Sequence, residues 1–174
     1  RVEEFIDLLK AFLADVGNRT PITDKRARLM IIGSALDNPG YLKVFEDKGG
    51  LFVHDALCYG SRPFNYSVEV DDKDVLGSLA DYYLTRLVCP RMLDNRERMQ
   101  QWVVDTAKEF GVEGIVYEKM QYCECWGGEI MFLEPMLKEA GIPILTLDRE
   151  EHLANVGQLA IRAEAFVEMI EKED

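Results

Sequence analysis

The sequence is poor in cysteine and has no long apolar run, and each shortage excludes a class of protein. Only 4 of its 174 residues are cysteine, which is too few for the disulfide scaffolds of small secreted domains. No apolar run approaches the roughly 18 residues that a membrane-spanning helix needs. We therefore expect a protein of the reducing cytoplasm that has no membrane partner.

Positive charge is scarce as well. The chain has 20 Lys and Arg against 32 Asp and Glu, so its formal net charge is −12. Such an acidic surface repels phosphate backbones, which disfavours nucleic acid as a partner. The length fits one domain, residues 1–174, and the hydrophobic fraction of 48% is typical of a globular protein with a real core.

Several common cofactor and catalytic motifs are missing from the sequence. The four cysteines are Cys58, Cys89, Cys123 and Cys125. They form no C-x2-C pair, which argues against a self-contained zinc ribbon or a two-cluster ferredoxin. The Gly33-Ser34 turn fits neither the dinucleotide-binding nor the P-loop pattern, and no G-x-S-x-G elbow occurs. The two histidines, His54 and His152, are expected to be structural or solvent-facing.

Short apolar runs alternate with helical periodicity along the chain. The predicted strands are 28–33, 51–54, 114–117 and 144–147. The predicted helices are 2–16, 39–48, 74–87, 94–110, 129–140 and 155–170. This alternation predicts right-handed crossovers and a doubly wound, flavodoxin-like or Rossmann-like α/β fold. We expect a four-stranded parallel sheet of order 2-1-3-4 with helices on both faces.

Ligands of open parallel sheets gather at the carboxyl ends of the strands. In the predicted order, Ser34 follows the first strand, Cys58 the second, and Cys123 and Cys125 the third. Three of the four cysteines would therefore lie at one edge, either as ligands or as ordinary packing residues. The turn at Ser34 either cradles an anionic group or simply joins a strand to a helix. The stretch 55–72 is predicted to be a long loop, and such a loop inside a compact domain is usually either functional or wrongly assigned.

Three ordered sets of residues carry a resemblance to a known family. They are Arg28 to Gly33 (RLMIIG), Asp55 to Phe64 (DALCYGSRPF), and Tyr122-Cys123 with the downstream AGIP at 140–143 and GQLxxRxEAF at 157–166. With these, the chain resembles the carboxyl-terminal part of subunits of the 2-hydroxyacyl-CoA dehydratase and benzoyl-CoA reductase family, as in the D-component of 2-hydroxyglutaryl-CoA dehydratase. The resemblance implies that the domain is part of a longer subunit.

The resemblance also implies a cofactor. Family members bind a [4Fe-4S] cluster through three cysteines, of which one belongs to this domain at the position that Cys123 matches. Cys125 departs from the family pattern, so Cys125 and Cys58 are kept as alternative ligands. The ligand set in this chain is incomplete, and enzymatic activity is expected of the complete complex.

The implied reaction is radical dehydration of a 2-hydroxyacyl-CoA after one-electron reduction of its thioester, or reduction of benzoyl-CoA. The implied partners are a sister subunit, an ATP-dependent activator protein and an acyl-CoA substrate. Candidate substrate-binding residues are Ser34, Arg62, Gln158 and Arg162, where Arg62 either meets a CoA phosphate or pairs with an acid. We expect an exposed apolar patch near Cys123, Trp126 and Phe64. The residues alone leave open a metal-free small-molecule-binding or subunit-docking domain.

Overall fold

A computed structural model describes residues 1–92 and 94–172. The strands are β1 (Ala27–Gly33), β2 (Gly50–Ala56), β3 (Gly114–Met120) and β4 (Ile144–Arg149). The helices are α1 (Val2–Val16), α2 (Gly40–Glu46), α3 (Val75–Asp81), α4 (Arg96–Glu109), α5 (Glu124–Glu139) and α6 (Val156–Glu171). A 3₁₀ turn lies at Arg62–Phe64, and a π-helical segment at Tyr82–Arg86 continues α3.

The four strands form one parallel sheet of order β2-β1-β3-β4, so the predicted fold class and strand order are confirmed. The central strand β1 pairs with β2 and β3, and Ile31 lies between Asp55 and Val116. Because all strands run in the same direction, their carboxyl ends share one edge of the sheet. We call this the carboxyl edge.

Two core clusters cover the two faces of the sheet. Side chains of a strand alternate between faces, so Met30 and Tyr117 enter one cluster while Leu29 and Val116 enter the other. The first cluster contains residues of α4 and α5, including Trp102, Val103, Leu133 and Leu137. The second contains residues of α2 and α6, including Phe45, Ala163, Phe166 and Val167. We call these sides the α4/α5 face and the α2/α6 face.

The prediction for α5 was wrong by five residues at its start. The helix begins at Glu124 rather than at residue 129, so the expected loop at 120–128 is mostly helical. The adjacent Gly127 and Gly128 lower helix propensity, which explains why the pattern failed there. Glu124 lies in the first turn, where a carboxylate interacts favourably with the helix dipole.

Other boundaries also differ from prediction. Strands β3 and β4 each extend beyond their apolar runs, which brings Glu118 and Arg149 into the sheet. The predicted helix 74–87 divides into α3 and the π-helical segment. The amide side chain of Asn38 accepts a hydrogen bond from the Gly40 N–H at 2.9 Å, and α2 ends at Glu46 rather than beside Gly49.

Helix α1 forms where it was predicted, but its apolar stripe is uncovered. Every residue of α1 is exposed, including Phe5, Leu9 and Phe12 of the stripe. The amphipathic pattern therefore identified the helix without identifying a partner for it. Within the described part of the chain, no helix is long and apolar enough to cross a membrane.

Candidate functional site

The predicted site residues that follow β1, β2 and β3 lie at the carboxyl edge. Ser34 follows β1, and the Cys58 thiol lies 4.0 Å from the carbonyl oxygen of Gly33, the last residue of β1. Cys123 comes three residues after the end of β3. The strand order therefore places Cys58 and Cys123 on opposite sides of the end of β1.

A tight turn presents Cys123. The Cys123 N–H donates to the Met120 carbonyl at 3.0 Å, and Tyr122 between them has a left-handed backbone with φ of 64°. This third position of the turn favours glycine, because a Cβ there is strained. Tyr122 nevertheless occupies it and is 93% exposed. The backbone strain therefore lies directly before a cysteine, and burial of the aromatic ring does not compensate for it.

The Cys123 side chain lies between solvent and core. It is half-buried and packs against the core cluster of the α4/α5 face. Its carbonyl accepts the Gly127 N–H at 2.8 Å, which starts α5. Cys125 lies in the first turn of α5 and is exposed. Among residues 1–92 and 94–172, no group of three or more His, Cys, Asp or Glu side chains is arranged to hold a metal ion.

Arg62 is buried beside Cys58. The residue is 5% exposed, and its Nη2 donates to the Cys58 Sγ at 3.1 Å. Its guanidinium carbon lies 5.4 Å from the ring centre of Trp126. Nη1 is buried and has no hydrogen-bond partner among the described residues. Of the two expected partners of Arg62, an acid is not found among the described residues, where the Cys58 thiol is the hydrogen-bond partner.

The loop that carries Cys58 and Arg62 is wrapped around a carboxylate. Asp55 accepts hydrogen bonds from the backbone N–H groups of Leu57 and Ser61, at 3.1 and 2.8 Å, and from the Ser61 hydroxyl at 2.7 Å. A Cβ at Gly60 would lie 1.7 Å from an Asp55 carboxylate oxygen. This glycine therefore permits the close approach that fixes the loop.

Glu118 and Arg149, two residues that sequence reasoning missed, form a buried ion pair on the α2/α6 face. Arg149 Nε donates to Glu118 Oε2 at 2.9 Å, and both side chains are 3% exposed. Burial raises the pKa of the Glu118 carboxyl, although Arg149 acts in the opposite direction. Arg149 also donates to the Ala35 carbonyl at 2.5 Å. The pair thus ties β3, β4 and the segment after β1 together.

Ser34 belongs to this ion-pair network. Its hydroxyl accepts the Met120 N–H at 3.0 Å and donates to Glu118 Oε2 at 3.4 Å. Ser34 is itself buried. The hydroxyl therefore joins the ends of β1 and β3 and is not free at the surface.

Gln158 and Arg162 lie elsewhere along the edge. Both are exposed residues of α6 and line a pocket of about 130 Å³ with Tyr41 and His152. Arg162 Nη2 donates to the Thr146 carbonyl at 2.7 Å. The structure therefore brings Gln158 and Arg162 together, and Cys58 and Arg62 together, but it does not gather the four predicted substrate-binding residues into one cavity.

An aromatic groove runs beside the outer strand β2. It has a volume of about 850 Å³, and its aromatic lining residues are Tyr59, Phe64, Tyr66, Trp102 and Phe110, together with the ring of His54. Phe64 is 80% exposed, as expected, but Trp126 is 3% exposed and lies beneath Arg62. The expected exposed patch therefore does not include Trp126, because that residue faces the core from the first turn of α5.

Comparison with known proteins gives a consistent set of similarities. The family model for the 2-hydroxyglutaryl-CoA dehydratase D-component matches residues 1–170. The putative dehydratase subunit YjiM of Escherichia coli K12 is 27% identical over 150 residues, which cover 84% of this chain and 38% of that protein. The (R)-phenyllactyl-CoA dehydratase beta subunit of Clostridium sporogenes is 22% identical over 170 residues, 98% of this chain and 43% of that protein.

A third similar protein is the beta subunit of (R)-2-hydroxyglutaryl-CoA dehydratase from Acidaminococcus fermentans. It is 26% identical over 148 residues, which cover 82% of this chain and 38% of that protein. The chain thus spans about two fifths of the length of these curated relatives.

Proposed function

The chain belongs to the 2-hydroxyglutaryl-CoA dehydratase D-component family, and on that premise we propose that it presents one cysteine, Cys123, to a [4Fe-4S] cluster of a 2-hydroxyacyl-CoA dehydratase. The observation that carries the proposal is the turn before α5. It holds a non-glycine residue, Tyr122, in a left-handed conformation directly before a half-buried cysteine at the carboxyl edge. Strained residues of this kind concentrate at functional sites.

The donor set of the chain fits a shared cluster better than a complete one. Cys123 provides a thiolate ligand at the edge, Cys125 lies on the first turn of the same helix, and Cys58 accepts a hydrogen bond from Arg62. The described residues contain no group of three or more metal-binding side chains. In this proposal the other ligands come from outside these residues. When bound, the cluster supplies an electron of low potential.

The residues of this chain would then position and shield the reacting groups. The Ser34 hydroxyl holds the Met120 N–H, and the Met120 carbonyl holds the Cys123 N–H, so Ser34 acts on the cysteine turn. Gln158 and Arg162 line an open pocket on the same sheet edge and are the better candidates to contact an acyl-CoA. The protein contributes orientation and exclusion of water, while the cofactor carries the difficult step.

The proposal includes partners. The relatives are named as subunits of dehydratases, and we infer that this chain also acts beside a sister subunit, with an ATP-dependent activator that supplies the electron in the cytoplasm. The aromatic groove beside β2 is a specific feature that favours docking of another chain, since aromatic residues are enriched at interfaces. Benzoyl-CoA reduction is the second candidate reaction, and assays of the complete complex with both substrate types distinguish the two.

Anaerobic reconstitution of the complete subunit tests the proposal. The wild-type subunit should bind about four iron and four sulfide ions, and Cys123→Ser should abolish most of the visible absorbance. Cys125→Ser, two residues away, is the matched control and should keep the spectrum. If Cys125→Ser loses the absorbance instead, the ligand assignment is wrong. If the wild-type subunit takes up no iron, the metal-free docking domain is the better description.

A further inference from the structure

Arg62 is a buried cation with an unused hydrogen-bond donor. It is 5% exposed, its Nη2 is bonded to a thiol, and its Nη1 lacks a partner among the described residues. A buried charge without a counter-charge is strongly destabilising, and so is a buried N–H without an acceptor. An arginine in this setting therefore indicates that an anionic group binds to it, accepts the unpaired N–H and compensates the charge.

Two parts of the fold hold the guanidinium in place. The Asp55-centred loop supplies Cys58 and Arg62 itself, and α5 supplies Trp126, whose ring lies under the guanidinium. Trp126 is fixed in turn, because the buried Tyr117 hydroxyl donates to its carbonyl at 2.6 Å. Arg62 is thereby held against the first turn of α5, and Cys123 is the N-cap residue of that helix.

We propose that Arg62 supplies the positive charge and the N–H donor that compensate an iron–sulfur centre held at Cys123, and that it raises the reduction potential of that centre. The inference rests on the proposed function. Hydrogen bonds to the sulfurs of a cluster and the net charge around it set its potential. Cys58 in this arrangement is the acceptor that anchors Arg62 and is not a ligand.

The potential of the reconstituted complete subunit tests the inference. A redox titration followed by electron paramagnetic resonance should give the same iron content for Arg62→Gln as for the wild type, with a more negative midpoint potential. Arg26→Gln is the matched control, because Arg26 is bonded to Glu171 at the opposite edge of the sheet. The Arg26 variant should leave the potential unchanged.

A second variant covers the case in which Arg62→Gln does not fold. Cys58→Ala removes the acceptor of Nη2, and it should retain iron while shifting the potential in the same direction by a smaller amount. Loss of iron in Cys58→Ala would make Cys58 a ligand and overturn the anchor role.

The outcomes separate the two proposals. If the wild-type subunit binds no iron, the proposed function fails. If iron is bound and the potentials of Arg62→Gln and Cys58→Ala equal that of the wild type, the role of Arg62 is overturned while the proposed function stands.

Discussion

The two faces of the sheet each bury an arginine and a glutamate, but they satisfy these charges differently. On the α2/α6 face, Arg149 and Glu118 are bonded to each other at 2.9 Å. On the α4/α5 face, the buried charges have neutral hydrogen-bond partners. Arg62 donates to the Cys58 thiol at 3.1 Å, and Glu129 accepts from the Gln100 amide at 2.5 Å.

The ion pair of Arg149 and Glu118 has a structural role, whereas the charge of Arg62 is available to a further group. Two buried opposite charges that neutralise each other leave no net charge for a third group, whereas a buried cation beside a thiol keeps its charge. The α2/α6 face therefore fastens the strand ends, and the α4/α5 face offers a cation next to the turn of Cys123. The following changes test this contrast, starting with the largest expected effect.

Removal of one member of the ion pair should have the largest effect. Glu118→Leu leaves Arg149 buried without a counter-charge, so the free energy of unfolding should fall by about 3–5 kcal/mol in urea denaturation. The double variant Glu118→Leu, Arg149→Met removes both charges and should recover most of the loss. A loss below about 1 kcal/mol in the single variant would show that the pair does not fasten this face.

Gly33, the last residue of β1, should also be sensitive to substitution. Its φ is 149°, and a Cβ there would lie 1.7 Å from the Glu118 carbonyl oxygen. Gly33→Ala should therefore lower the free energy of unfolding by about 3 kcal/mol. In Gly127→Ala, the matched control, the Cβ meets nothing within 4 Å, and this helical position should gain about 0.5–1 kcal/mol. Equal effects at the two positions would contradict the close approach at Gly33.

Glu129 makes the contrast dependent on pH. Burial raises the pKa of Glu129 from its usual 4.5 more than Gln100 and Arg96 lower it. A carboxyl whose pKa is higher in the folded state contributes its full stability below the unfolded value. That contribution is lost as the pH rises from 4.5 through the raised pKa. Stability of the wild type relative to Glu129→Gln should therefore fall across this window, by at most about 1.4 kcal/mol per pH unit.

Glu164, a half-buried carboxylate on α6, gives the opposite sign and serves as the control. The bonded Lys48 ammonium lowers the pKa of Glu164 below its usual 4.5. The stability that Glu164 contributes is present above 4.5 and is lost as the pH falls through the lowered pKa. Denaturation of Glu164→Gln and Glu129→Gln over the same pH series should show differences from the wild type of opposite slope. Parallel slopes would mean that Glu129 is not held in a buried setting.

The smallest expected effect concerns backbone strain at Tyr122. Glycine relieves the strained left-handed backbone but loses more entropy on folding, so Tyr122→Gly should stabilise the chain by about 0.5 kcal/mol. Asn155 precedes α6 with φ of 53°, and asparagine tolerates this conformation. Asn155→Gly should therefore gain less. A larger gain in stability for Asn155→Gly would mean that the backbone is more strained before α6 than at Tyr122.

The fold was predictable because buried parallel strands are unbroken apolar runs, such as those around Ile31 and Val116. Their alternation with helices is typical of the doubly wound class, from which the strand order was expected. The rule failed at the strand ends, since it ended β3 and β4 before Glu118 and Arg149. Opposite charges shortly after two neighbouring apolar runs were the available signal for that pair. The thiol partner of Arg62 had no signal, because it depends on how the Asp55 loop folds back. Trp126 was wrongly expected to be exposed, because the glycine pair after it weakened the helical pattern that would have shown the start of α5.

Because helix α1 is uncovered, its amide hydrogens should exchange with solvent at a different rate from those of the sheet. An isolated helix of 15 residues is marginally stable in water, and tertiary packing does not protect α1 where its apolar stripe is exposed. The amide hydrogens of α1 should therefore exchange by local fraying of the helix, which does not require the sheet to open. The amides of β1, buried between two strands, should exchange only when the sheet itself opens. Any chain that covers the stripe would slow the first class and leave the second unchanged, so exchange at Phe5 and Leu9 reports binding at α1 alone.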